Sequence, residues 1–191
     1  MNVILVSFAV IFVAEMGDKS QLMALTFATR YRAVPILIGI AIATASVHAV
    51  SVLLGAVLAV SVPTDVINIV AGLAFLGFAA WTIRGDTLTE DEAAKVEQQS
   101  NRSAVAAASG AFFLAELGDK TMLATITLAS TDNPWWVWLG STVGMVVADA
   151  LAILVGRVLG TRLPERAITI FATVMFVFFG VALILEGAGV P

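Results

Sequence analysis

The sequence predicts an all-α membrane protein with six transmembrane helices, arranged as two inverted three-helix repeats. Three observations lead to this fold class: an apolar composition, recurrent apolar stretches of membrane-spanning length, and a match between the two halves of the chain. Hydrophobic residues make up 60% and charged residues 13% of the 191 residues, whereas a soluble domain has about 45–50% apolar and about 25% charged residues. The mean hydropathy of +1.00 agrees with a chain that lies largely in lipid.

Composition also excludes several classes of function. The chain has no cysteine, which excludes disulfides, zinc–thiolate sites and thiol chemistry. It has one histidine, so it lacks the two-histidine motif of a zinc protease. No Ser–His pair is evident, and we predict that the protein is not an enzyme. The net charge of −4 offers no basic surface for nucleic acid.

Apolar stretches long enough to span a bilayer recur along the chain. A hydrocarbon core of about 30 Å requires roughly 20 helical residues. The first stretch has no basic residue before it and no clear cleavage site, so we interpret it as a span and not as a removable signal. Six spans are predicted, at residues 2–28, 34–60, 65–84, 104–130, 135–160 and 166–186.

The chain divides into two matching repeats. Residues 1–84 form repeat 1, residues 104–191 form repeat 2, and residues 85–103 form an acidic linker that is predicted to be cytoplasmic. A shift of 101 positions aligns the repeats, and the matches include Glu15 and Glu116, Gly17 and Gly118, Asp18 and Asp119, Lys19 and Lys120, Gly39 and Gly140, Gly55 and Gly156, and Pro63 and Pro164. Because each repeat has an odd number of spans, the second crosses the membrane in the opposite sense, as in many secondary transporters.

Basic residues outside the matched motifs predict the orientation in the membrane. All of them lie at or after the end of the first, third or fifth predicted span: Arg30, Arg32, Arg84, Lys95, Arg102, Arg157, Arg162 and Arg166. The positive-inside rule places these loops in the cytoplasm and both termini outside. We therefore expect a multi-pass protein of the cell inner (plasma) membrane, in contact with the lipid bilayer.

Each repeat carries one acidic motif within an apolar span. The motifs are E-M-G-D-K-S-Q at residues 15–21 and E-L-G-D-K-T-M at residues 116–122. An ionisable side chain at the bilayer centre costs about 2.5–3.5 kcal/mol, so such residues indicate a function. Glu15 and Asp18 are three residues apart and would share one face of a helix, and the same holds for the second motif. Inverted symmetry can bring the two faces together.

A cluster of four carboxylates favours a hard divalent cation, because Ca2+, Mg2+ and Mn2+ prefer oxygen ligands. The predicted ligands are the motif acids and the neighbouring hydroxyl and amide oxygens, namely Glu15, Asp18, Glu116, Asp119, Ser20, Thr121 and Gln21. The alternative is that Lys19 and Lys120 neutralise the acids in purely structural salt bridges. One lysine per motif would still leave a net negative charge.

Six further positions are predicted to support this site or to relay protons, and two of them are the motif lysines, Lys19 and Lys120. Gly17 and Gly118 lie between the acids, where glycine lets the backbone bend or approach closely. Carbonyl groups that a broken helix frees can add ligands. His48 lies in mid-span and matches Asp149 in repeat 2. It is either a hydrogen-bonded core residue or a proton relay, since imidazole titrates near neutral pH.

The paired E-x-G-D-K-S/T motifs, on the first and fourth of six spans, resemble uncharacterised protein family 0016, the Gdt-type cation exchangers. This family includes Golgi Ca2+/Mn2+ transporters and bacterial manganese exporters. The resemblance covers nearly the whole chain, and it implies a cation/H+ antiporter whose motif acids bind the metal. Met122 departs from the glutamine that commonly ends the family motif.

The predicted function is therefore a divalent cation/proton antiporter that exports Mn2+, or Ca2+, from the cytoplasm. Mn2+ or Ca2+ is the substrate, H+ is the counter-ion, and no tightly bound cofactor is expected. Clustered like charges favour proton uptake by the site, and a bound dication would expel those protons. A passive divalent-cation channel and a small-solute exporter are the alternatives. The sequence leaves the exchange stoichiometry and the oligomeric state open, a homo-oligomer included.

Overall fold

The computed structural model describes residues 2–84, 104–159 and 165–189, and all regular structure in them is helical. The predicted linker at 85–103 lies outside these residues. Eight α-helices occur in the described ranges: α1 (Val3–Glu15), α2 (Lys19–Arg30), α3 (Ala33–Ser61), α4 (Thr64–Arg84), α5 (Ala104–Glu116), α6 (Lys120–Thr131), α7 (Pro134–Leu159) and α8 (Glu165–Gly187). The all-α prediction is thereby confirmed.

Four of these helices are long and apolar enough to cross a membrane, which is consistent with a multi-pass membrane protein. Their candidate spans are residues 33–61, 64–83, 134–155 and 169–187. They coincide to within a few residues with four of the predicted spans. α1 and α5 are shorter apolar helices.

The spans predicted as single helices at 2–28 and 104–130 are wrong in one respect, because each is interrupted. α1 is followed by α2 after a three-residue turn, and α5 is followed by α6 in the same way. Helices of 12 or 13 residues are about 20 Å long and fall short of a hydrocarbon core of about 30 Å. Two such helices joined end to end have the length that one span requires.

Matched glycines allow the helices of the two repeats to pack closely. A Cβ atom on Gly39 in α3 would lie 2.6 Å from the Ala108 Cβ in α5, and one on Gly140 in α7 would lie 2.5 Å from the Ile4 carbonyl oxygen in α1. Gly39 and Gly140 occupy equivalent positions in the repeats. The long helix α3 or α7 of each repeat therefore packs on the first helix of the other repeat, so that the repeats interlock.

α4 and α8 also occupy equivalent positions in the two repeats, and they pack against each other in opposite directions. Gly187 at the end of α8 approaches Asp65 near the start of α4, and Gly180 approaches Gly72 further along the pair. At both points, a Cβ atom on the α8 glycine would lie less than 3 Å from a backbone oxygen of α4. The absence of side chains at these glycines is therefore what lets the two helices come this close.

α3 and α7 cross at equivalent points of the two repeats. The Thr44 hydroxyl donates to the Met145 sulfur at 3.4 Å, and these residues are 101 positions apart. Beside this crossing, the Trp138 indole N–H donates to the Ala45 carbonyl at 2.9 Å. The long helices of the two repeats are therefore in direct contact.

Two apolar clusters of buried residues connect the repeats. Each combines residues that precede the motif in one repeat with residues that follow the motif in the other. The first cluster contains Ile11, Val52, Leu128 and Val137, and the second contains their repeat equivalents Phe112, Ile153, Phe27 and Ile36. The acidic turn of each repeat therefore joins a helix of one cluster to a helix of the other.

Candidate metal centre

Both acidic motifs adopt the same helix break. α1 ends at Glu15, Gly17 has a φ of 77°, and Asp18 is the N-cap residue of α2. In repeat 2, Gly118 has a φ of 80° and Asp119 is the N-cap residue of α6. A positive φ favours glycine, because the Cβ of any other residue would crowd the backbone. These positive φ angles agree with the expectation that the two glycines let the backbone bend at the motif.

A turn, and not a continuous helix, brings the two acids of each motif together. The Asp18 N–H donates to the Glu15 carbonyl at 3.1 Å, and the Asp119 N–H donates to the Glu116 carbonyl at 3.2 Å. The prediction that the acids of one motif share a face of one helix is therefore wrong, because the helix ends between them.

The last residue of each motif caps the backbone of the turn. The Gly17 N–H donates to the Gln21 amide oxygen at 2.9 Å, and the Gly118 N–H donates to the Met122 sulfur at 3.3 Å. The Gln21 amide nitrogen in turn donates to the Ala148 carbonyl at 3.3 Å. Met122 thus replaces glutamine as a weaker acceptor in the same place. The metal-ligand role of Gln21 stays a prediction.

Gly118→Ala is expected to destabilise the protein by about 1–2 kcal/mol, which is the cost of a left-handed conformation for an L-residue. No described atom lies within 4 Å of a Cβ placed at Gly118, so the cost is backbone strain and not a clash. Thermal unfolding of the purified protein in detergent measures this effect.

Gly77→Ala is the matched control, since Gly77 lies inside α4 and a Cβ there also meets no described atom within 4 Å. It should leave stability unchanged or raise it by about 0.5–1 kcal/mol, because alanine is the better helix former. Equal losses for both substitutions would contradict the assignment of strain to Gly118.

Three buried carboxylates from the two repeats meet at the centre. Oxygens of Glu15, Asp18 and Glu116 lie within 4.8 Å of one another, and the three residues are at most 1% exposed. Two oxygens on opposite sides of a Ca2+ ion are about 5 Å apart, since each lies about 2.3–2.6 Å from the ion. The three carboxylates can therefore coordinate one divalent cation where they stand.

Several oxygens at this centre have no hydrogen-bond partner within the described ranges. They are both carboxylate oxygens of Glu15, one carboxylate oxygen of Glu116 and the Ser20 hydroxyl oxygen. The second Glu116 oxygen accepts a hydrogen bond from the Thr121 hydroxyl at 2.8 Å. Buried polar atoms are nearly always satisfied, and leaving them without a partner is costly. A cation or protons would complete this site.

The two motif lysines differ in how deeply they are buried. Lys120 forms a buried salt bridge with Asp18 of the other repeat, whereas Lys19 is half-buried. Glu15 and Glu116 have no salt bridge in the part of the chain that the structure describes. The alternative in which the lysines neutralise the acids in salt bridges therefore explains the buried charge of Asp18 but not that of the two glutamates. Because each lysine follows an aspartate directly, no local signal in the sequence identifies this pairing between repeats.

Asp119 lies outside the group of three acids. It is buried, at 6% exposure, but its carboxylate does not join the oxygens that lie within 4.8 Å of one another. We expected four carboxylates to converge at the centre, and three of them do. The equivalent of Asp119 in repeat 1, Asp18, is one of the three.

The matched residues His48 and Asp149 are both buried, at 1% and 0% exposure. The His48 Nδ1 atom lies 3.5 Å from the Thr142 hydroxyl oxygen. Both Asp149 carboxylate oxygens lack a hydrogen-bond partner among the described residues, and Asp149 lies close enough to Asp18 for a direct electrostatic interaction. Sequence reasoning missed Thr142 as the partner of His48, and the structure associates Asp149 with the acids.

Comparison with known proteins agrees with the predicted resemblance. The chain matches the family of the divalent cation/proton antiporter GDT1 over residues 3–90 and 104–190. A candidate manganese exporter of Vibrio cholerae is 35% identical over 185 residues, which cover 95% of this chain and 90% of that protein. A GDT1-like protein of Synechocystis is 28% identical and covers 90% of this chain and 91% of its own length. No solved structure matches. This chain therefore belongs to the GDT1 family of divalent cation/proton antiporters.

Proposed function

We propose that this protein exports Mn2+, or Ca2+, from the cytoplasm in exchange for protons, on one site built from both repeats. The observation that carries the proposal is the meeting of Glu15, Asp18 and Glu116 within 4.8 Å in a buried centre. The similarity to the Vibrio cholerae protein, which extends over 95% of the chain, supports Mn2+ as the substrate.

In this proposal the chain crosses the membrane six times as two inverted three-span repeats. α1 with α2 and α5 with α6 each form one broken span, and α3, α4, α7 and α8 form the continuous ones. The opposite directions of α4 and α8, which are equivalent helices, support the inversion. The basic residues that follow the first, third and fifth spans support a plasma-membrane protein with both termini outside.

Export of a dication needs a source of energy. Outward movement against a negative-inside potential costs about 4.6 kcal/mol per 100 mV, which is twice the value of about 2.3 kcal/mol for one charge. Two protons that move inward cancel this transfer of charge. Three carboxylates at short range repel one another, so the site without metal takes up protons and a bound dication displaces them. Metal and protons thus compete for the same oxygens.

The neighbouring residues tune this competition. Ser20 contributes a buried hydroxyl oxygen, and the Thr121 hydroxyl orients Glu116. Lys120 holds Asp18 in place and reduces the negative charge of the site. Asp149 lies near Asp18 on a different helix, where its carboxylate can pass protons to the acids without holding the metal.

Mn2+ uptake into proteoliposomes that contain the purified protein is expected to require a pH gradient. An acidic lumen should accelerate uptake, because protons leave the vesicle as Mn2+ enters, and uptake should make the lumen more alkaline. A protonophore that collapses the gradient is the control. A Mn2+ flux that is indifferent to the gradient would favour a passive channel and contradict exchange.

A further inference from the structure

A second polar region lies away from the three acids, in a cavity of about 310 Å³ between α1, α4, α6 and α8. Its walls are mostly apolar, and its polar lining side chains are Asn68, Thr131, Asp132 and Glu186. No lysine or arginine occurs among its described lining residues. These residues lie at the helix ends that the distribution of basic residues places outside the cell.

Asn68 distinguishes this cavity from an ordinary group of surface acids. It is 3% exposed, and its side-chain oxygen has no hydrogen-bond partner in the regions that the structure describes. An amide oxygen that is buried without a partner is costly unless a ligand reaches it. Side-chain amide oxygens are among the ligands of hard divalent cations.

We propose that the cavity is an outer vestibule that binds a divalent cation through Asn68, Asp132 and Glu186. Both acids are exposed, so an ion held there keeps part of its hydration shell and binds weakly. The proposal that the vestibule binds a cation depends only on the geometry of the cavity. The further proposal, that metal released from the acid centre binds there on its way out, rests on the proposed export function.

A thin apolar layer separates the vestibule from the acid centre. Val10 and Leu128 line the cavity and belong to the same buried cluster as Ala14 and Ala124. Val10 precedes Glu15 by five residues in α1, which is about 7.5 Å along a helix. A cation leaving the acids toward this face would have to pass only this layer before it reaches the vestibule.

Thiol labelling tests the vestibule, because the chain has no cysteine of its own. Ala182→Cys places one thiol in the cavity wall, in full-length protein that also carries Glu15→Gln and Glu116→Gln to disable the central site. Mn2+ is the probe, and the rate of reaction with a positively charged methanethiosulfonate reagent, which bound Mn2+ repels, is measured in detergent. At a Mn2+ concentration of about twice the Kd the rate should fall about threefold, as the free fraction of sites falls.

Ser61→Cys is the matched control, since Ser61 is exposed at the end of α3 and does not line the cavity. Its labelling should not respond to Mn2+. Asn68→Leu should abolish the protection of Ala182→Cys, and Asp132→Asn with Glu186→Gln should abolish it without disturbing the fold, because both acids are exposed. Protection that is absent, that persists in either variant, or that extends equally to Ser61→Cys would contradict cation binding in the vestibule.

The same measurements separate the two proposals. Protection of Ala182→Cys together with a Mn2+ flux indifferent to pH would support the vestibule and contradict the proposed exchange. Proton-coupled flux without protection would contradict the vestibule alone.

Discussion

Mn2+ transport is expected to fall by about ten- to a hundredfold in Glu15→Gln and equally in Glu116→Gln, because a charge-assisted contact is worth about 1.5–3 kcal/mol and 1.4 kcal/mol is tenfold. The amide keeps the shape of the side chain but removes its negative charge. The two glutamates come from different repeats and are 0% and 1% exposed, so solvent cannot replace the lost ligand.

Two measurements check this expectation: initial rates of Mn2+ uptake in proteoliposomes, and the metal tolerance of cells that lack the protein and receive each variant. Asp65→Asn is the control, since Asp65 is an exposed carboxylate in the first turn of α4, outside the acid centre. It should transport like the parent. If the glutamine variants protect cells as well as the parent does, the metal centre is misassigned.

The free energy of unfolding is expected to fall by about 3–5 kcal/mol in Lys120→Met, because removal of one partner of a buried ion pair leaves an uncompensated charge. Lys120 is 5% exposed and its partner Asp18 is 0% exposed. The salt bridge also joins the two repeats, so its loss should loosen their packing. Denaturant unfolding of the purified protein in detergent measures the change.

The double variant Asp18→Asn with Lys120→Met should recover most of the lost stability, since neither charge then remains buried. Lys19→Met is the repeat-matched control. Lys19 is half-buried, and partly solvated pairs contribute about 0–1 kcal/mol. An equal loss of stability in Lys19→Met, or no recovery of stability in the double variant, would contradict a specific stabilising role for the Asp18–Lys120 salt bridge.

Most of the helical architecture follows from sequence because the bilayer dictates the length of an apolar segment. The span predicted at 34–60 corresponds to α3, Ala33–Ser61, and the span predicted at 65–84 corresponds to α4, Thr64–Arg84. The interruption of two spans was also signalled, by Gly17 and Gly118. Its form, with Asp18 at an N-cap, was not, because a glycine permits a turn without specifying one.

Local sequence did not predict which residues of the two acidic motifs lie at the metal centre. The shift of 101 positions that relates the repeats predicts that Glu15 and Glu116 meet, and they do. It also predicts equal roles for Asp18 and Asp119, yet Asp119 lies outside the group of three acids. Gln21, predicted as a ligand, caps Gly17. Asn68 became a candidate ligand only when four helices enclosed a cavity beside it.

The sequence by itself determined that this chain is helical, apolar, duplicated and acidic at two matched points, since each property depends on residue type and spacing. Only the tertiary structure decided which side chains meet: Lys120 with Asp18, Thr121 with Glu116, and Asp149 near the acids. The physical reason is that two nearly identical motifs crowd one small centre. Three carboxylates lie within reach of one ion there, and contacts between residues far apart in the sequence decide which three.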